Sequence, residues 1–199
     1  VVGVGAYAPS TVGEGEISGA SGGFELIVET STGVPSDVRN AYGRARVGFL
    51  EEELEGIELW PVRVKDGEDA SCLSPGQASR PRILGVDARA LEARRAFEAL
   101  GGQDIGQLWG SLKSRTSSGA IPIVGDEATL RWGLGLGPGD LHQDVSETGE
   151  PITFEVVGVI ARSFLQGALL TSEHHLAEIY PKSSETRMVL VDAARGRTN

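Results

Sequence analysis

Apolar and polar positions alternate first at Phe24, Leu26 and Val28, set against Glu25 and Glu29, which is the two-residue period of a half-buried strand. Pro35-Ser36-Asp37 supplies a helix start, and Val38, Tyr42, Ala45 and Phe49 follow at helical spacing, so the pattern predicts a helix with one face on the sheet. Ile57 to Lys65 reads as a strand with Trp60, Val62 and Val64 on one side. Pro61 within it cannot donate a ladder hydrogen bond, which places the strand at an edge or at a bulge. After a loop from Asp66 to Pro81, residues 82–86 form a short strand and Ala88 to Leu100 a helix with Ala90, Ala93, Phe97 and Leu100 on one face. Gly101-Gly102 ends that helix, and residues 103–118 read as irregular apart from Leu108 and Trp109.

The stretch Ile121 to Ile160 carries the densest pattern: a strand, a short helix from near Asp126, a turn at Gly137-Pro138-Gly139-Asp140, and two further strands. Gly158 interrupts the alternation of Ile152, Phe154 and Val156 and predicts a bulge. Thr171 or Ser172 caps a short helix that Pro181 stops, and Met188 to Val191 is apolar throughout, as in a strand covered on both faces. Residues 9–23 are small, polar and glycine-rich and read as a flexible lead-in, and residues 193–199 as a polar tail. The opening VVGVGAYAPS fits either a first strand or the last turns of a membrane helix.

Composition narrows the function classes. A formal net charge of -10 opposes a phosphate backbone, so nucleic-acid binding is disfavoured. No run of about 18 apolar residues is present, so this stretch does not itself span a bilayer. Cys72 is the only cysteine, which excludes an internal disulfide.

Each candidate for chemistry carries a plainer structural explanation. Gly19-Ala20-Ser21-Gly22-Gly23 matches the G-x-S-x-G string of a hydrolase elbow, but a linker precedes Ser21 and a strand follows it, the reverse of the strand-to-helix turn that chemistry needs. His174 and His175 with Glu173 and Glu178 are the densest group of potential metal ligands. Adjacent histidines on a helix point roughly 100° apart and do not converge on one ion, so an exposed polar face is the better reading. His142 has no companion ligand nearby in sequence. Gly133 to Gly139 follows a helix and precedes a strand without the Lys-Ser or Lys-Thr of a phosphate loop, and reads as a helix stop in which Asp140 fixes the turn. Among Trp60, Trp109 and Trp132, core burial is the default. Trp109, in an irregular setting, is the candidate partner contact. No catalytic, cofactor-binding or metal residue is assigned.

The segment IPIVGDEATLRWGLGLGPGDL with its closing PITFEVVGVIARS resembles the extracytoplasmic domain of FtsX/MacB-type ABC transporter permeases, in which a buried strand leads into a short helix, a "GD" turn and a "VVGV" strand. DASCLSPGQASRPRILGVD, residues 69–87, is similar to a stretch in FtsX-like members. The resemblance covers Phe24 to Asp192 and implies an α+β, two-lobed fold. A strand-helix-strand, porter-like lobe (residues 24–100 and 168–192) would carry an inserted small mixed α/β lobe (residues 101–167). It further implies a non-catalytic MacB-like periplasmic core domain without cofactors, flanked by transmembrane helices, on the extracytoplasmic side of the inner membrane. The implied partners are a separate cytoplasmic ATPase subunit or domain, and a second permease copy or periplasmic protein. Two other classes stay open: a free secreted solute-binding or adhesion module, and a secreted serine hydrolase using Ser21.

Overall fold

The computed structural model describes residues 4–7, 19–34, 37–67 and 80–193. Pro35, Ser36, Cys72, most of the lead-in and of the loop 66–81, and the tail beyond Ala193 lie outside them. The chain is α+β, as expected. Among the described residues, nine strands form one sheet: β1 (Val4–Tyr7), β2 (Leu26–Thr30), β3 (Ile57–Lys65), β4 (Arg82–Val86), β5 (Ile121–Asp126), β6 (Leu141–Val145), β7 (Pro151–Ile160), β8 (Ala168–Ser172) and β9 (Ser184–Ala193), in the order β1-β2-β9-β3-β4-β8-β5-β7-β6. The pairs β4–β8 and β5–β7 are parallel and the others antiparallel. Strands from residues 24–100 and 168–192 lie side by side, and those from 101–167 continue the same sheet through Val124 opposite Leu170 and Gly125 opposite Leu169.

Burial on both faces holds the sheet. Helices α2 (Ala88–Arg94) and α3 (Ile105–Ser111) share one core with Val64, Leu84, Val86 and Leu170, through Leu91, Leu108 and Trp109. Helix α4 (Glu173–Ile179) and a π-helical segment (Ala128–Leu134) share the other with Ile83, Ile123, Phe154 and Leu169, through Leu176 and Leu130. Each fully buried aliphatic or aromatic side chain contributes about 1.5–3 kcal/mol over an exposed one.

Several local expectations hold. Gly158 follows a register shift that leaves Val157 unpaired against β5, and a Cβ on Gly158 would run into Leu108 and Gln103. Ser172 caps α4 by accepting the His175 N–H. Asp140 accepts the Gly137 N–H at 2.8 Å and so fixes the predicted turn.

Others are corrected. The helix read across 35–49 is only α1 (Ala41–Arg46), capped by Asn40, and its inward face is Gly43, whose Cα packs on the Asp37 carbonyl. Tyr42 and Phe49 point outward, at 73% and 41% exposure. The helix read over 88–100 stops at Arg94, because Arg95 and Phe97 take left-handed conformations (φ 55 and 68) that turn Ala96 and Phe97 into the core. Residues 103–118, read as irregular, contain α3. Asp104 caps it, and Ile105, Leu108, Trp109 and Leu112 form a buried stripe at helical spacing. Strand β9 is not apolar-covered on both faces, since burial alternates through Met188 and Leu190. Gly19–Gly23 belongs to a packed turn rather than a flexible lead-in. Gly22 (φ +61) lies against the Phe97 ring where a Cβ would clash, and Gly23 N donates to Ser21 Oγ.

Candidate binding groove

Strands β4 and β8 are parallel neighbours that end together at Val86 and Ser172. Asp87 then caps α2, accepting the N–H groups of Arg89 and Ala90, while Ser172 caps α4. The two helices leave for opposite faces of the sheet, one into each core. A crevice opens between such diverging connections at the carboxyl ends of parallel strands, which is where open sheets hold ligands.

The neighbouring strand widens it. Strand β3 pairs with β4 only through Arg63–Lys65, whereas it pairs with β9 from Ile57 onward. The half of β3 before its bulge at Val62/Arg63 therefore has no strand partner on the β4 side. Pro61 sits in that half, so the expectation of an edge or a bulge is met locally in a strand that is interior to the sheet. The phase of the backbone follows from β9. Val191 accepts from Glu25 N and Ala193 N donates to the Glu25 carboxylate, so both turn their main-chain groups toward β2. Their β3 partners, Leu59 and Ile57, consequently turn theirs away from β9 and into the gap. Pro61 shares this phase, so its missing N–H removes no bond to β9.

The result is a groove of about 390 Å³. Its apolar wall includes Leu59, Pro61, Val62, Leu91 and Leu190, and its rim carries Arg39, Arg44, Glu58 and Asp87. Glu58 accepts the Trp60 indole N–H at 3.3 Å.

Polar contacts hold the roof. The Arg39 guanidinium meets Glu173 of α4 at 2.8 Å, Asp37 at 2.9 Å and Asp87 of α2 at 3.7 Å, so one side chain spans both helix starts. Its hydrogen bond with Asp37 outweighs desolvation and raises its pKa still further above the usual arginine value. Burial pushes the Asp37 carboxyl up, but the bonds from Arg39 outweigh it and leave the pKa lowered. Arg44 pairs with Glu51 at 2.9 Å and donates to the Val38 and Arg39 carbonyls. Their mutual hydrogen bond holds the Glu51 carboxyl below its ordinary value. Sequence reasoning missed Arg39, because two of its three partners, Asp87 and Glu173, are distant in the chain. Asp87 was open to recognition as a cap before ARALEAR.

The sequence candidates fall elsewhere. Trp109 is corrected as a partner contact: it is 0% exposed, its indole donates to the Ala96 carbonyl at 2.8 Å, and its ring meets Phe97 edge-on. Trp132 is the exposed tryptophan, at 77%, with Arg131 over its ring. Ser21 lies in the turn before Phe24, whereas His142 stands on β6 and His174 and His175 on α4. Glu173 is engaged by Arg39 and Glu178 by Arg115. His175 is buried, its Nδ1 is without a partner, and burial lowers its pKa. Among the described residues, no three His, Cys, Asp or Glu side chains gather into a group that could hold a metal ion. No helix among them is long and apolar enough to cross a membrane. Compared with known proteins, the chain matches no family model and no curated protein.

Proposed function

We propose that this chain is a non-catalytic extracytoplasmic domain of an ABC transporter permease, which contacts a substrate or partner protein and couples to ATP-driven motion across the inner membrane. The observation that carries this reading is topological. A group of strands discontinuous in the chain, β2, β9, β3, β4 and β8, is interrupted between α2 and β8 by a segment that contributes β5, β6 and β7 to one side. A porter-like lobe with a mixed insertion has that arrangement. A second feature suits the transmission of motion. Arg94 donates to the Gly22 and Gly23 carbonyls and pairs with Asp192, so the path into β2 and the end of β9 are held as one unit. ATP hydrolysis belongs, on this reading, to a separate cytoplasmic subunit or domain.

The test uses the full-length protein in its native membrane, with Cys72→Ser and an exposed reporter, Ser117→Cys. A membrane-impermeant maleimide is expected to label the reporter in cells whose inner membrane is intact. Labelling only after that membrane is broken overturns the proposal. So does a full-length protein without apolar segments of about 20 residues flanking the domain.

A further inference from the structure

We infer that the groove beside β3 is a docking site for an extended, basic peptide segment of a partner protein, which adds a strand to the unpaired half of β3. The inference rests on the groove alone and is independent of what the domain is attached to. Three observations meet there. Ile57 and Leu59 each direct an N–H and a C=O into the gap, and Pro61 a C=O, and among the described residues no hydrogen bond occupies these groups. An unpaired strand edge recruits an extended chain through main-chain bonds. The space lies in the line of β4, which stops at Val86 because Asp87 starts α2, so an added segment replaces the strand that β4 does not continue. The wall formed by Leu59, Leu91 and Leu190 is apolar and receives alternate side chains of that segment.

Charge selects the occupant. The two guanidiniums on the rim, Arg39 and Arg44, are already matched by carboxylates of the same chain. The approach to β3 carries Glu51, Glu52 and Glu53 on a 3-10 turn, followed by Glu58; Arg44 is paired with Glu51, which leaves Glu52, Glu53 and Glu58 with no ion-pair partner among the described residues. The groove mouth is therefore acidic and favours lysine or arginine at one end of the peptide, as its contribution to steering and register.

The probe is acetyl-Lys-Val-Thr-Val-Thr-Lys-amide, titrated into the isotopically labelled protein. Binding is expected to shift the amide resonances of Ile57 and Leu59, to slow their hydrogen exchange, and to change Trp60 fluorescence. A peptide with alternate amides N-methylated loses about two main-chain bonds and is expected to bind roughly tenfold weaker. Replacing both lysines by glutamate is expected to weaken binding by a similar factor at low salt, and Ala90→Phe, which fills the groove from α2, to abolish the Leu59 shift without moving Tm. No change at Ile57 and Leu59 at millimolar peptide overturns the site. Equal affinity for the N-methylated peptide overturns strand addition, and equal affinity for the glutamate peptide overturns the basic occupant.

Discussion

Residues 38–54 and 88–112 show the same apolar spacing and end in opposite conditions. In the second region, α2 and α3 lie against the sheet and against each other, and Leu91, Phe97, Leu108, Trp109 and Leu112 are all buried. In the first, Tyr42, Phe49 and Leu50 are exposed and only Val38 and Gly43 are buried. What separates them is the surface available to each. The sheet face under α2 and α3 is broad and apolar. The surface beside α1 is a groove rim, where Arg39 and Arg44 are held by carboxylates. Helical periodicity marks which residues share a face, and the tertiary surface decides whether that face is covered. One region is held by burial and the other by ion pairs, which predicts different responses to truncation and salt.

Truncation gives the largest contrast. Trp109→Ala removes a fully enclosed ring and the bond to Ala96 and is expected to cost about 3–5 kcal/mol. Tyr42→Ala is expected to change stability by less than about 0.5 kcal/mol. Equilibrium denaturation measures both, and similar losses would break the comparison.

Acid gives an intermediate effect, and it acts on α4. Burial lowers the His175 pKa from its ordinary 6.5, followed in effect by the nearby Arg115. Below 6.5 the unfolded chain takes up a proton that the native chain resists. The contribution is therefore intact above that value and is lost as pH falls through it toward the native pKa. His142, lowered by desolvation against an opposing pull from Asp144, acts in the same direction. Stability measured from pH 8 to 5 is expected to fall, and to fall less in His175→Gln. An unchanged slope in that variant would assign the loss to other groups.

The parts of the fold legible in the sequence are those set by near neighbours. The Gly137–Asp140 turn and the Ser172 cap each depend on residues a few positions apart, and the bulge at Gly158 shows as a local break in the alternation of Ile152, Phe154 and Val156. Helix α3 was obscured by Gly106 and Gly110, although Asp104 and the Ile105-Leu108-Trp109-Leu112 stripe were present. The end of α2 was unreadable because its left-handed residues are Arg95 and Phe97 rather than glycine. The groove was least legible. It depends on β4 and β8 ending together and on Arg39 meeting Glu173 across 134 positions, relations that arise from strand order.

Native-state hydrogen exchange at low and high salt tests the central claim most directly, namely that ion pairs hold residues 38–54 while burial holds 88–112. Amides of 38–54 are expected to exchange through a local opening, faster at high salt and faster again in Arg39→Gln, where the loss of exposed pairs costs only about 0–1 kcal/mol overall. Amides of α2 and α3 are expected to exchange only with global unfolding and to be indifferent to both changes. Equal protection of the two regions, or a salt response shared by both, would contradict the account.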